Sequence, residues 1–374
     1  MRVGIDYTSA ATQREGIGRV TRELVAALLE RSDCPDLRMF YAHRGPIRSA
    51  DGLVAWDRVR MRRVPVSSRI ALAAWFKFRA PIPVEALTGR IDVFHGPDYT
   101  VPPALAAPSV VTIHDLSFVR RPQDAHPAQR RFLDRAVPKS INRAALVIAV
   151  SESTRDDLIQ FYGVPRGRVR VVPNAAPDWY GPVRSTPVLE SVRRRLALPE
   201  RFIFSLGTIQ PRKNLPALAA AASRLTPPLP VIHAGREGWL CDRVYREVES
   251  AGGEIMRFIG QPDDATVQAL FTLAAAFVYP SFAEGFGIPI LEAFACECPV
   301  VTSIAPGTSE VAGDAALQAA PEDVEALGAA IQRVFDDRTL AADLVRRGLA
   351  RRAAYSWRSS AARTLGIYRE VAGT

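Results

Sequence analysis

Short apolar runs rich in Val, Ile and Phe alternate along this chain with longer stretches whose apolar residues recur every three or four positions. The runs fall near residues 3–6, 38–42, 91–94, 109–113, 145–150 and 169–172, then near 202–206, 230–234, 255–259, 275–279 and 299–302. Short runs of this kind predict strands buried in a sheet. Between them lie helical patterns such as GRVTRELVAALLER, which puts Val20, Leu24 and Leu28 on one face at i, i+4 and i+8. Strand–helix alternation predicts parallel sheets covered by helices on both faces.

The alternation breaks once, at about 176–200, where the proline-rich, polar APDWYGPVRSTP and a charged helical stretch lead into the strand FIFSL. The chain therefore reads as two doubly wound, Rossmann-like α/β domains, at 1–178 and 200–355, with a linker over 179–199. The amphipathic YSWRSSAARTLGIYREVA comes after the second sheet is complete, so 356–374 is expected as a helix that packs back on the first domain. Open α/β sheets bind ligands at the carboxyl ends of their strands, so two facing domains are expected to form a cleft.

A chain of 374 residues suits two cores, and 48% hydrophobic with 23% charged residues excludes a disordered chain. Apolar runs such as AALVIAV (144–150) fall far short of the roughly 18 residues a membrane span needs. MRVGIDY reads as a first strand rather than a leader, so a cytoplasmic location is expected. Cys34, Cys241, Cys296 and Cys298 have neither disulfide nor metal-site spacing and read as packing thiols. Residues 1–180 hold 27 Lys and Arg against 18 Asp and Glu, an excess equal to the net charge of the whole chain, +9. The first half thus favours an anionic partner or surface. Every cation is arginine except Lys77, Lys139 and Lys213.

The stretch SFAEGFGIPILEAFA (281–295) combines the features of an anion site. Pro289 suits the first turn of a helix, whose unpaired N–H groups point back at the loop containing Gly285 and Gly287. Phosphate favours that position. Glu284 before the loop and Glu292 one turn into the helix are poor phosphate ligands but good acceptors for hydroxyl groups on either side of it. Hydroxyls flanking phosphate describe a sugar nucleotide. Upstream, SLGTIQPRKNLPAL places Gly207, Arg212 and Lys213 at a second strand-to-helix turn, where two cations suit a diphosphate leaving group. In the first half, SVVTIHDLSF ends a strand at His114 and Asp115, and REGIGRVTREL offers Gly16 and Gly18 before a helix. As a dinucleotide fingerprint the glycine pair fails, because it lies too far from the first strand and lacks the third glycine and the ribose-binding acid. A nicotinamide cofactor is therefore not expected.

Together these motifs resemble the retaining, nucleotide-sugar-dependent GT-B glycosyltransferases of family 4, and most of all a bacterial mannosyltransferase-like branch. The similarity runs through GIGRVTREL, DVFHGPDYTVPP, VVTIHDLSF, VIAVSESTRDDL, VRVVPNA, SLGTIQPRKNL and FIGQPDDATVQALFTLAAAFVYPSFAEGFGIPILEA to SEVAGDAAL. The resemblance implies that Glu284 holds hydroxyls of the transferred sugar and Glu292 those of the ribose. It assigns the diphosphate to Arg212, Lys213 and the backbone N–H groups of Phe286, Gly287 and Ile288. His114 would contact the donor sugar near the reacting carbon, and Gly16 and Gly18 would shape the cleft floor. GDP-mannose is the donor the branch implies, with a sugar or lipid-linked acceptor. The chain has no D-x-D to hold a divalent ion, so neither a metal nor a resident cofactor is expected. One departure stands out. Glu297 occupies a helix C-cap where the family has glycine, at a cost of roughly 1 kcal/mol if the left-handed backbone is kept.

Two other classes of reading remain open at this point. Residues 58–83 interleave Arg58, Arg60, Arg62, Arg63, Arg69, Lys77 and Arg79 with Trp75, Phe76 and Phe78, which suits peripheral contact with an anionic membrane, at the inner face of the plasma membrane for a cytoplasmic protein. The plainer reading of that stretch is a core helix with a solvated basic face. A sugar-nucleotide epimerase of the same architecture is the second alternative. No nucleic-acid-binding module is present in the sequence.

Overall fold

The structure, a computed structural model, describes residues 1–44 and 59–373. Each of two units is built on its own parallel sheet. In the first, β1 (Arg2–Asp6), β2 (Asp36–Ala42), β3 (Val59–Val64), β4 (Val93–Gly96), β5 (Ser109–Ile113), β6 (Leu146–Ala149) and β7 (Val169–Val171) are ordered β3-β2-β1-β4-β5-β6-β7. In the second, β8 (Ile203–Leu206), β9 (Val231–Ala234), β10 (Met256–Phe258), β11 (Ala276–Tyr279), β12 (Val300–Ser303) and β13 (Ala316–Ala319) are ordered β10-β9-β8-β11-β12-β13. All six pairs of the first sheet and all five of the second are parallel. Every residue of β5, β6, β11 and β12 is buried, which explains why their sequences run apolar rather than alternating. In each sheet the strand order reverses once, at β1/β4 and at β8/β11, and the carboxyl ends of that central pair open a crevice.

The first unit comprises 1–120, 127–174 and 357–374, and the second comprises 121–126 and 175–356. The stretch 179–199, read from sequence as a linker, belongs to the second unit and holds the helix Thr186–Arg195. Val192 of that helix is buried, and the neighbouring Arg195 bonds Thr266 at 2.7 Å. Residues 121–126 also depart from the sequence boundaries. Arg121 lies over the Phe282 ring at 4.0 Å, and the Trp239 indole N–H donates to the Asp124 carbonyl at 2.6 Å. Both contacts fasten this short segment within the second unit.

The last helix, Trp357–Ala372, lies in the first unit, packed on the helix Ile17–Leu29 and on β4 and β5. It buries Trp357, Leu365, Ile367 and Tyr368. The Tyr368 hydroxyl meets His95 Nδ1 at 2.7 Å, and His95 Nε2 meets the Thr112 hydroxyl at 2.8 Å. Burial drives the His95 pKa down to about 3, so its ring is neutral.

The basic stretch 58–83 is not one core helix. Arg58 lies outside the described residues; then come the edge strand β3, the short helix Ser68–Leu72 and a π-helical turn, Ala73–Lys77. Trp75 and Phe76 are buried and Phe78 is exposed. Glu297 keeps the left-handed backbone, with φ of 59°. Among the described residues no helix is long and apolar enough to cross a membrane.

Candidate active site

At the β8/β11 reversal two loops leave the carboxyl edge of the second sheet together. After β8, Gly207 has φ of 142° and sits under Lys213, since a Cβ there would lie 3.0 Å from Lys213 Cε. The approach at Gly235 is tighter. A Cβ at Gly235 would stand 1.9 Å from the Gly207 carbonyl oxygen, which leaves room only for glycine. The 3₁₀ turn Pro211–Lys213 follows, and Asn214, left-handed at φ of 55°, starts the helix Leu215–Ser223. Its side-chain amide donates to the carbonyls of Pro280 and Pro321, at 3.1 and 2.6 Å. Asn214 therefore ties this turn to the loop after β11.

That loop brings Glu284 onto the two cations. Arg212 reaches its carboxylate at 2.5 Å and Lys213 at 2.8 Å, with all three side chains largely buried. Burial alone would raise the Glu284 pKa, but Arg212 and Lys213 outweigh it and hold the group down at about 2. The carboxylate is therefore a fixed anion that accepts hydrogen bonds and has no proton to give. Arg212 also donates to the Ala283 carbonyl. Lys213 has a further partner, the Tyr279 hydroxyl at 2.5 Å, at the last residue of β11.

Beyond Glu284, Gly287 (φ of 111°) precedes the helix Ile288–Ala295. Pro289 has no N–H, and among the described residues the N–H groups of Phe286, Gly287 and Ile288 meet no protein acceptor. Three consecutive donors at the start of a helix make an anion-favouring surface. The Phe286 ring packs edge-on to Tyr355 with centroids 5.6 Å apart, so this residue offers the loop its backbone rather than its side chain. Glu292 is buried on the same helix.

The remaining sequence candidates lie in the first unit. His114, at the end of β5, is buried, and its Nε2 sits 2.7 Å from the Pro97 carbonyl. A carbonyl can only accept, so Nε2 carries the proton and Nδ1 is left as an acceptor. Burial lowers the His114 pKa, which keeps the ring neutral. Gly16 (φ of 60°) caps the helix Ile17–Leu29. Gly18 is required by packing, because a Cβ there would fall 2.2 Å from the Gln13 carbonyl.

Sequence reasoning missed Tyr279, Gln210, His233 and Ser281. The first ends a buried strand and reads as core. Among the described residues, Gln210 Oε1, His233 Nδ1 and Ser281 Oγ are buried atoms without a hydrogen-bond partner. His233 Nε2 is occupied by the Gly207 carbonyl at 2.9 Å.

The chain is similar to known proteins. A family model described as "Glycosyl transferases group 1" matches residues 190–351, and one for "Glycosyltransferase Family 4" matches residues 14–178. O-antigen chain mannosyltransferase B of Escherichia coli is 30% identical over 373 residues, covering 95% of this chain and 96% of that protein. Among solved structures, sucrose-phosphate synthase from Thermosynechococcus elongatus superposes with a TM-score of 0.76 at 21% identity, covering 99% of each chain. Anabaena Alr3699/HepE, solved in complex with UDP-glucose, superposes at 0.73 with 17% identity, covering 98% of this chain and all of that one.

Proposed function

The chain belongs to glycosyltransferase family 4 and is a glycosyltransferase of GT-B fold, and on that premise we propose that it transfers mannose from GDP-mannose to a hydroxyl acceptor with retention of configuration. The donor is argued from the relative at 30% identity, which is named a mannosyltransferase. One observation carries the chemistry: Arg212 and Lys213 converge with Glu284 beside the unpaired N–H groups of Phe286, Gly287 and Ile288.

The reaction needs negative charge to be met as it develops on a departing diphosphate. Arg212 offers a planar fork of donors, Lys213 a compact charge and the helix start three fixed dipoles, so none has to be created during the step. These groups support a metal-independent mechanism. The bond from the anomeric carbon to the phosphate oxygen breaks, and its electron pair leaves with the nucleoside diphosphate. The acceptor oxygen forms the new bond on the same face and loses its proton to the departing phosphate oxygen. Glu284, ionised down to about pH 2, orients the transferred sugar by accepting from its hydroxyls. Glu292 serves the ribose, and His114 Nδ1 is available as an acceptor for a donor-sugar hydroxyl.

Glu284→Ala is expected to lower kcat/KM at least a hundredfold, because it removes the anion around which both cations are arranged and the hydroxyl acceptor with it. Glu284→Gln, of the same shape, should recover only a small part. The assay is transfer from GDP-[14C]mannose, with the anomeric configuration of the product read by NMR and the fold by circular dichroism. Wild-type turnover in Glu284→Ala would remove the assignment, an inverted product would remove the same-face mechanism, and loss of activity in chelator would remove metal independence.

A further inference from the structure

The first unit has a second cationic site, remote in sequence from Arg212, Lys213 and Glu284. A hollow of about 540 Å³ is lined by Trp75, Arg79, Pro81, Pro103, Lys139 and Arg143, and among the described residues no carboxylate lines it. Among the described residues none of the three cations forms an ion pair. Arg143 donates to the Val101 carbonyl at 3.0 Å, and Lys139 reaches the Phe76 carbonyl at 3.4 Å. These contacts aim the charges without neutralising them.

The local sequence works against its own helix and turn to make this arrangement. Lys139 and Arg143 are i and i+4 on the helix Pro127–Arg143, a like-charge pair that weakens a helix. Arg79 has φ of 54°, a left-handed backbone disfavoured for any residue with a Cβ. Unfavourable local geometry of this kind concentrates where a ligand is bound. The chain uses arginine for nearly every cation, yet two of its three lysines fall here or beside it, Lys139 and Lys77. The third, Lys213, stands in the proposed diphosphate site.

The surroundings say what the anion is attached to. Phe78 directly precedes Arg79, Ile82 directly follows Pro81, and Leu105 lies two residues beyond Pro103. These three are 72%, 46% and 78% exposed. The backbone at Ile82 and at Leu105 is tied down. The Trp75 indole donates to the Ile82 carbonyl at 2.9 Å, and Glu85 accepts from the backbone amides of Leu105, Ala106 and Ala107. Exposed apolar side chains within two residues of the lining of a cationic hollow match a ligand with a charged head and a hydrocarbon tail. We propose that this hollow binds a phosphate group carried on an apolar chain, with Arg79, Lys139 and Arg143 on the phosphate and Phe78, Ile82 and Leu105 on the chain.

The proposal does not depend on the donor site, and the test keeps the two apart. The full-length protein is sedimented with phosphatidylcholine vesicles containing phosphatidic acid, and with vesicles brought to the same surface charge by fatty acid. Wild type should bind the phosphatidic acid vesicles, and Lys139→Ala/Arg143→Ala should bind about 25-fold more weakly, at about fivefold per cation. Arg60→Ala/Arg63→Ala, an equal charge loss on β3, should stay within about twofold of wild type, and Arg212→Ala should bind like wild type. Arg79→Gly relieves the backbone while deleting the guanidinium, so it should fold at least as well and still lose about fivefold. A short-chain alkyl phosphate should compete better than inorganic phosphate. Competition by both to equal degree would keep the phosphate site and point to a soluble ligand. Equal binding to fatty-acid vesicles, an equal loss in the β3 control, or no effect of Arg79→Gly would each overturn the proposal.

Discussion

Lys213 divides its hydrogen bonds between the Glu284 carboxylate at 2.8 Å and the Tyr279 hydroxyl at 2.5 Å, and the second bond has a testable consequence. The phenol sets the direction of the ammonium group without touching any reacting atom in the proposed mechanism, so Tyr279 is a positioning residue. Removing one neutral partner from a charged donor is worth about 1–2 kcal/mol, so Tyr279→Phe should lower kcat about tenfold. The change is expected in kcat more than in KM, with thermal stability nearly unchanged, and steady-state kinetics with a melting curve would check both. A tenfold rise in KM at constant kcat would contradict a positioning role. The convergence of Arg212, Lys213 and Glu284 was legible because cations at one strand-to-helix turn and an acid in a glycine loop are both rare without a ligand to explain them. Tyr279 was not, since a tyrosine ending AAAFVYP has the signature of a core residue. His233 was hidden for a similar reason: its Gly207 partner is backbone brought close by folding.

Among whole elements, eleven strands were readable as apolar runs, and the two that were not are instructive. β3, VRMRRV, is an edge strand, and its exposed Arg60, Arg62 and Arg63 guard that edge against pairing with another chain. The same arginines erase the apolar pattern. β13, ALQA, is also an edge strand, only four residues long and half alanine, with little β preference of its own. The helix Ile288–Ala295 ends as its sequence warned. Glu297 follows the C-cap with φ of 59°, and the Cys298 N–H closes back on the Ala293 carbonyl at 3.0 Å. Glu297 also pairs with Arg184, but that arginine is well exposed, and such a pair contributes little. Glu297→Gly should therefore stabilise the protein by about 1 kcal/mol, seen as a higher urea midpoint at unchanged slope. No gain would mean that the Arg184 pair offsets the backbone cost.

Across the whole molecule, acid should weaken the fold through its buried histidines, opposed in part by Asp98, whose carboxyl is pushed up by burial to about 7. His95 has a folded pKa depressed from the ordinary 6.5 to about 3, and His233 to about 4, both chiefly by burial. An unfolded chain protonates these rings below about pH 6.5 while the folded one does not, so their contribution is complete above that pH and is lost as pH falls from 6.5 toward 3–4. Melting temperature should therefore be level from pH 7 to 8 and decline below about 6.5. A stable plateau down to pH 5 would show that the rings are not held neutral.

His95 also leads to the consequence of the chain's path. The first unit is discontinuous, and the helix Trp357–Ala372 completes it from the far end of the sequence. That helix covers His95 with Tyr368 and buries Trp357, Leu365 and Ile367 with it. Four large side chains at about 2 kcal/mol each come to about 8 kcal/mol, comparable with the roughly 5–15 kcal/mol that holds a domain together. Ending the chain at Ser356 should therefore unfold the first unit, while the second, which includes none of 357–374, keeps its own core. Hydrogen exchange would resolve the two: amides of β1, β4 and β5 should lose protection, and those of β8, β11 and β12 should retain it. Adding a peptide of residues 357–374 should restore protection in proportion to its occupancy, because a ligand that binds only the folded form stabilises it by mass action. Equal protection of both sheets in the truncated chain would mean that the seven-stranded core stands without its last helix.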